Sequence, residues 1–279
     1  MTSSLATDVG AIVSDRLGPI EVDATPVDHH ERLVWLAAGA SGPLVIKADV
    51  DAERHRRELL GLRAAQQTGC PVPEVIDRVG GPVNVLVITH LHGSPLQGDD
   101  PSQTWAAVGA AVRDLHRSEP TGERGIGSGD GAAERIAPSI DYVTGGDPGT
   151  ARPLIDAGLD FVRRRLVAAV EGVQVHGDCQ PDHFLLDETR TTVTGILDFG
   201  DAGLGDPLWD LAVLTLEHPE HIDDVLVGYQ PDPSMAERAR YELPAYHALR
   251  CLTDIRWLRE HDFDPTPYQR ILEEIVDQP

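Results

Sequence analysis

His176-Gly177-Asp178-Cys179-Gln180-Pro181-Asp182-His183-Phe184-Leu185-Leu186 and then Gly195-Ile196-Leu197-Asp198-Phe199-Gly200 carry two aspartates twenty positions apart. Each follows an apolar run, with Val173 and Val175 before the first and Val193, Ile196 and Leu197 before the second. Between them, Phe184-Leu185-Leu186 reads as a strand and Asp187-Glu188-Thr189-Arg190 as a polar turn. The pattern predicts a loop and a neighbouring hairpin end that bring Asp178 and Asp198 close in space. Two carboxylates held that way suit phosphoryl transfer. One orients an acceptor hydroxyl and takes its proton, and the other holds magnesium on nucleotide phosphates.

Outward from this stretch, the basic residues give the next clue. Of 23 Lys and Arg, 22 are arginine and only Lys47 is lysine, in Leu44-Val45-Ile46-Lys47-Ala48-Asp49. A compact ammonium is not replaceable by a guanidinium where one point charge bridges two phosphates. The Val-Ile-Lys run also matches the lysine-bearing strand motif of kinases. A surface lysine surviving by chance at a strand end is the other reading.

The bulk properties set limits. At 279 residues the chain predicts two lobes, and 41% hydrophobic with 25% charged residues is a soluble globular composition. No apolar run approaches membrane-spanning length, and the polar start Met1 to Ser4 has no signal-peptide pattern, so a cytoplasmic location is expected. The three cysteines, Cys70, Cys179 and Cys251, lack metal-type spacing. A net charge of -23 argues against nucleic acid or an anionic membrane as partner. It suits a cationic small molecule, or else serves only solubility.

Along the chain, Val9, Ile12, Val13 and Leu17 predict an opening helix ended by Gly18-Pro19. Strands follow at 20–22, 32–37 and 43–49, and Asp51 is a candidate N-cap for a helix through Gln67. Gly80-Gly81-Pro82 marks a hairpin between 75–77 and 83–89. Beyond Gly93 the pattern turns helical. Helices are expected around Trp105 to Leu115, at 154–170, 208–217, 222–229, 235–258 and 267–275, with a long loop over 119–152. The fold class expected is α+β: an N-terminal antiparallel sheet with one main helix (1–92), then a mostly helical lobe (93–279).

With Lys47, Asp178 and Asp198 in this order across a sheet lobe and a helical lobe, the chain resembles the aminoglycoside phosphotransferase and choline kinase-like family. These are small-molecule kinases of protein-kinase-like fold. The resemblance spans about residues 20 to 265 and concentrates in 173–212, where HGD-x4-H-x-L, Leu197-Asp198-Phe199 and Gly205-Asp206-Pro207 stand together. It implies that Lys47 contacts the α- and β-phosphates and that Glu58 on the following helix pairs with it, with Glu53 as the other candidate. It implies a base site at the backbone of Thr89, His90 and Leu91, with ATP versus GTP left open, and Asp178 as catalytic base. Asp198 is then a magnesium ligand, His176 a structural strut, Asp206 a brace beneath the catalytic loop and Asp210 an architectural residue.

Two departures from the family stand out. His183 occupies a metal-ligand position usually held by Asn, although magnesium prefers oxygen. That substitution is similar to the aminoglycoside 2″-phosphotransferases and macrolide phosphotransferases; Asp182 is the fallback ligand. The phosphate-covering segment Asp23 to Arg32 has no glycine, so close backbone approach is less easy, and His30 and Arg32 are candidate donors. The acceptor site is expected on the helical lobe, facing Asp178. Candidates are Asp201, Glu217 and Glu220 for protonated amines and Tyr246 and Trp257 as an aromatic wall. Leu216, Leu243 and Leu249 are the corresponding candidates for a macrolide. The expected activity is therefore a monomeric phosphotransferase moving a γ-phosphate from ATP or GTP, with Mg2+, to a hydroxyl of a small cationic molecule such as an aminoglycoside, with antibiotic resistance as a family role. A macrolide, an endogenous amine or sugar, and a nucleotide-binding pseudokinase are the alternatives.

Overall fold

Alternation in one strand sets the first layer. In β4 (Gly42–Asp49), Leu44, Ile46 and Ala48 are buried on one face while Val45 and Lys47 point to the other. The first face packs with Leu33, Trp35 and Ala37 of β3 (Arg32–Gly39) and with Val9 and Val13 of α1 (Thr2–Leu17). Period-two alternation thus turns Lys47 away from α1 and into the interlobe cavity. The computed structural model describes residues 2–18, 21–22, 27–29, 32–40, 42–81, 83–122, 132–147, 149–166 and 170–277. His30 and most of the glycine-free segment before Arg32 lie outside these residues.

The six-stranded antiparallel sheet runs β1-β3-β4-β6-β5, where β1 is Glu21–Val22, β5 Val75–Val79 and β6 Asn84–Thr89; β2 (Val27–His29) also pairs with β3. In register, Lys47 lies opposite Val34 on one side and Leu86 on the other. Helix α2 (Ala52–Gln67) follows β4 directly. The Asp51 carboxylate accepts from the amides of Glu53 and Arg54 at 2.8 and 3.1 Å and so satisfies the first turn.

The helical part begins after β7 (Ser94–Pro95) with α3 (Ser102–His116), α4 (Ala132–Gly145) and α5 (Arg152–Arg165). Short strands β8 (Val173–Val175), β9 (Phe184–Leu186), β10 (Val193–Ile196) and β11 (Gly203–Gly205) flank the two aspartates. They form a β10-β9-β7 sheet and a β11-β8 pair. Helices α6 (Pro207–Thr215), α7 (Ile222–Tyr229), α8 (Pro233–Glu260) and α9 (Thr266–Val276) complete the chain. The expected α+β class, sheet first and helices after, is the observed one. Among the described residues no helix is long and apolar enough to cross a membrane.

The long loop expected over 119–152 is corrected: α4 occupies 132–145 of it. Gly, Pro and Asp are dense there, and Pro138 sits inside the helix, which hides it. Ile136, Ile140 and Val143 stand at helical spacing and join the core, so the signal was present. The helix expected over 154–170 ends at Arg165.

Candidate active site

Asp178 and Asp198 line the same cavity, placed there by the local folding of the loop that bears each. Gly177 has φ 88°, and a Cβ there would lie 2.2 Å from the Asp201 carbonyl, so only glycine lets the two loops touch. Asp198 itself takes the left-handed conformation, φ 58°, which turns its carboxylate into the cavity at a cost of about 1 kcal/mol or more. His176 ties the loops together. Its Nε2 donates to the Leu197 carbonyl at 2.7 Å, and its Nδ1 accepts from the Asp178 amide at 3.3 Å. Burial holds this imidazole below its ordinary pKa, and one donor plus one acceptor is the demand of the neutral ring.

The brace beneath this loop is Asp210, which accepts from the amides of His176 and Gly177 at 2.7 and 2.9 Å. His116 Nε2 bonds the same carboxylate at 2.9 Å. Burial would raise the Asp210 carboxyl, yet the His116 bond and nearby charges outweigh it and the shift is downward. Asp206, expected to brace the loop, instead caps α6 through the Leu208 amide and receives Arg238 at 2.6 Å and the Tyr246 hydroxyl at 2.6 Å. Two aspartates four positions apart on adjoining turns are hard to apportion without the fold.

Lys47 pairs with Glu58 Oε1 and stands 3.6 Å from Asp198 Oδ1. Glu53, the other candidate, instead pairs with Arg57 on the surface. Gly61, one turn after Glu58, lets α2 approach the Asp198 loop: a Cβ there would lie 2.7 Å from Ala202 Cβ. Burial alone would raise the Asp198 carboxyl, but the charges of Lys47 and Arg32 hold it far below the carboxylate range.

These groups line one cavity of about 1170 Å³ between the sheet and the helices. An apolar slot in its lining comprises Val34, Val45, Ile88, Leu185 and Leu197, with Thr89, His90 and Leu91 also lining the cavity. The Thr89 and His90 amides are engaged by the Glu74 and Pro43 carbonyls at 3.0 and 3.1 Å. Among the described residues the Leu91 amide has no backbone partner. Asp178, Asp201, Arg250 and Asp254 give the same cavity a polar lining, together with Tyr142 and Trp257.

Asp178 lies 3.0 Å from Arg250 Nη2 and accepts from Gln180 Nε2 at 3.0 and 3.1 Å. Arg250 also donates to Asp254 at 2.9 Å. Burial pushes the Asp254 carboxyl up to about 6 against the pull of Arg250. Asp201 is raised too, by burial and then by the charge of Asp178, with Arg250 opposing.

Three acceptor candidates fall elsewhere. Tyr246 is wholly buried between Trp209 and Asp206. Glu217 is exposed and accepts from Tyr268 at 3.0 Å, and Glu220 is exposed 3.7 Å from His218. Leu216, Leu243 and Leu249 belong to the core. Asp201 and Trp257 do reach the cavity. Arg250 and Asp254, not anticipated, share a face of α8 with Trp257, and their i, i+4, i+7 spacing would have pointed to them.

The magnesium ion implied by the sequence resemblance can be judged by its donors. Among the described residues no group of three or more His, Cys, Asp or Glu side chains could hold a metal. Magnesium does not require one, since one or two carboxylates with phosphate oxygens and water suffice, and Asp198 offers that carboxylate. His183 donates through Nδ1 to the Asp178 carbonyl at 2.7 Å. That bond turns Nε2 to the other side, 4.0 Å from Asp182 Oδ1.

A family model described as the phosphotransferase enzyme family matches residues 26–252. No curated protein matches the chain by sequence. Among solved structures, a thermostable mutant of aminoglycoside phosphotransferase APH(4)-Ia, in ternary complex with AMP-PNP and hygromycin B, is 18% identical at a TM-score of 0.76, covering 96% of this chain and 98% of that one. A choline/ethanolamine kinase family protein from Mesorhizobium loti is 20% identical at a TM-score of 0.70, covering 100% and 95%. Aminoglycoside phosphotransferase APH(3'')-Id from Streptomyces rimosus is 21% identical at 0.62, covering 89% and 98%. At these identities the likeness is one of fold.

Proposed function

This chain belongs to the phosphotransferase enzyme family, and from that premise we propose that it moves the γ-phosphate of ATP or GTP to a hydroxyl of a small cationic molecule. The observation that carries the reading is the Lys47–Glu58 pair standing beside Asp198 in a cavity that Asp178 also lines.

The nucleobase enters the apolar slot and bonds the Leu91 amide. Lys47, fixed by Glu58, contacts the α- and β-phosphates. Asp198, with His183 beside it, would hold magnesium, and the ion would supply neutralisation of the charge on the transferring group. Asp178 orients the acceptor hydroxyl and takes its proton late, since a loose transition state asks little of a strong base. Residues 1–92 act as the nucleotide lobe and 93–279 as the acceptor lobe, within a single chain.

For the acceptor, Asp201 and Asp254 supply carboxylates, and Tyr142 and Trp257 supply aromatic surface. This combination favours an amine-bearing, hydroxylated compound such as an aminoglycoside. A similarly folded enzyme binds AMP-PNP and hygromycin B together. The macrolide reading loses its apolar wall, because the leucines that would form it are core.

The test is mass spectrometry of an acceptor panel (aminoglycosides, macrolides, choline-like amines, simple sugars) with magnesium and ATP or GTP. A gain of one phosphoryl group on an amine-bearing acceptor, absent with Asp178→Asn, is expected. A gain confined to neutral sugars would overturn the cationic acceptor, and equal turnover by Asp178→Asn would overturn the mechanism.

A further inference from the structure

Arg32, the first residue of β3, is buried at the head of the cavity and faces three carboxylates. Its Nη1 lies 2.7 Å from Asp198 Oδ1, its Nη2 3.1 Å from Glu58 Oε2 and its Nε 3.4 Å from Asp49 Oδ2. Two of these carboxylates have another cation close by. Asp49 receives Arg54 in a two-pronged contact at 2.7 and 2.8 Å, and Glu58 has Lys47 on its other oxygen. Asp198 differs, since its short contact is to Arg32 and Lys47 stands off at 3.6 Å. The seat is shaped for the guanidinium, because a Cβ on Gly200 would come within 3.1 Å of Arg32 Nη2.

This arrangement balances charge without a nucleotide: Arg32, Lys47 and Arg54 face Asp49, Glu58 and Asp198. A divalent cation on Asp198 breaks the balance. It competes for the oxygen that Arg32 holds and sets two cations against each other in a partly desolvated site. The guanidinium then needs another anion, and the one arriving with the metal is the triphosphate. Planar donors in a fork suit phosphate oxygens. The segment before Arg32 contains no glycine, the residue that most readily brings backbone amides close to phosphates.

We propose that Arg32 is an exchange cation, neutralising Asp198 in the nucleotide-free enzyme and moving to the triphosphate when a divalent metal takes that carboxylate. The proposal rests on the reading above in which Asp198 holds the metal. It adds a phosphate-binding residue and an order of events: loading the metal-nucleotide frees the arginine that then clamps it.

The test is calorimetric binding by the intact chain, which needs no turnover. The probes are AMP-PNP and GMP-PNP, each with magnesium and with EDTA, and the two nucleosides. Arg32→Gln is expected to weaken the magnesium-loaded analogue about tenfold or more, the scale of a lost charged hydrogen bond, and to leave the nucleoside unchanged. Arg32→Lys is expected to recover part of the loss. In EDTA the wild type and Arg32→Gln should differ much less, because Arg32 remains on Asp198. Asp198→Asn should tighten metal-free binding of the analogue, and adding Arg32→Gln should abolish that gain.

Arg32→Gln binding the magnesium-loaded analogue as well as wild type, or better, would mean that Arg32 stays on Asp198 as a brace, and the exchange would be refuted. Should Arg32→Gln not fold, Asp198→Asn decides: no tightening in EDTA refutes the proposal as well. Failure of the wild type to bind either analogue would show before any variant is compared. That outcome would remove the nucleotide-using reading and the exchange with it.

Discussion

Arg250 on α8 places Nη2 3.0 Å from Asp178 Oδ1, joining the longest helix to the candidate catalytic loop. Gln180 holds the same carboxylate from its own loop, so Asp178 is fixed from two sides. Arg250→Gln removes the charged anchor and keeps Gln180. Misplacing a catalytic group costs rate more than binding. Steady-state kinetics should show kcat falling about tenfold or more with the nucleotide KM little changed, and Arg250→Lys should restore part of it. An unchanged kcat would show that Gln180 alone orients Asp178.

Glu58 neutralises two cations, Lys47 and Arg32, whereas Lys47 is one of two cations serving Glu58. The two truncations are therefore unequal. Glu58→Ala leaves Lys47 and Arg32 close together in a buried site and should cost about 3 kcal/mol or more, the scale of a broken buried pair. Lys47→Met leaves Glu58 paired with Arg32 and should cost less stability while weakening binding of the triphosphate analogue. Melting of both variants, beside analogue binding, checks the order. Equal destabilisation would contradict it.

Much of this was legible because chemistry tied residue type to place. The single lysine and the two aspartates behind apolar runs line one cavity, and Gly80-Gly81 stand between the paired strands β5 and β6. Asp206 and Asp210 were harder. Both are buried carboxylates one helical turn apart, and only the fold decides which meets the loop amides. The acceptor wall was least legible, since Glu217, Glu220 and Tyr246 have the right chemistry but lie off the cavity. Facing direction on a long helix depends on tertiary packing, and α8 is polar or apolar in patches around much of its surface.

Asp254 gives the site a pH dependence. Burial raises its carboxyl to about 6, against an ordinary 3.8. Between those values the folded chain keeps a proton that the unfolded chain has released. Its contribution to stability therefore falls as pH rises through this window. The same titration acts on binding in the opposite sense, because only the ionised carboxylate attracts an amine. For an amine-bearing acceptor, KM should climb as pH drops below about 6, and Asp254→Asn should flatten that limb. A limb unchanged in the variant would assign it to another group. Asp198 works the other way: its depressed carboxyl adds stability above about 3.8 that is lost on further acidification.

Gly61 separates a packing role from a binding one. It lies on α2 one turn beyond Glu58, where a Cβ would stand 2.7 Å from Ala202 Cβ and 3.0 Å from Phe199 Cδ1. Alanine has the better helix propensity by about 1 kcal/mol, yet overpacking against the Asp198 loop costs about 1–3 kcal/mol, so the clash wins. Relief comes from α2 backing away and carrying Glu58 off Lys47. Gly61→Ala should lower stability modestly and weaken binding of the triphosphate analogue. Gly109 on α3 is the control, since a Cβ there meets the Val225 carbonyl of α7 at 2.2 Å, a backbone atom that cannot turn aside. Gly109→Ala should therefore destabilise more than Gly61→Ala, yet leave analogue binding intact in the folded fraction. If Gly61→Ala binds the analogue as wild type does while melting lower, the Lys47–Glu58 pair tolerates a displaced α2, and the glycine serves packing alone.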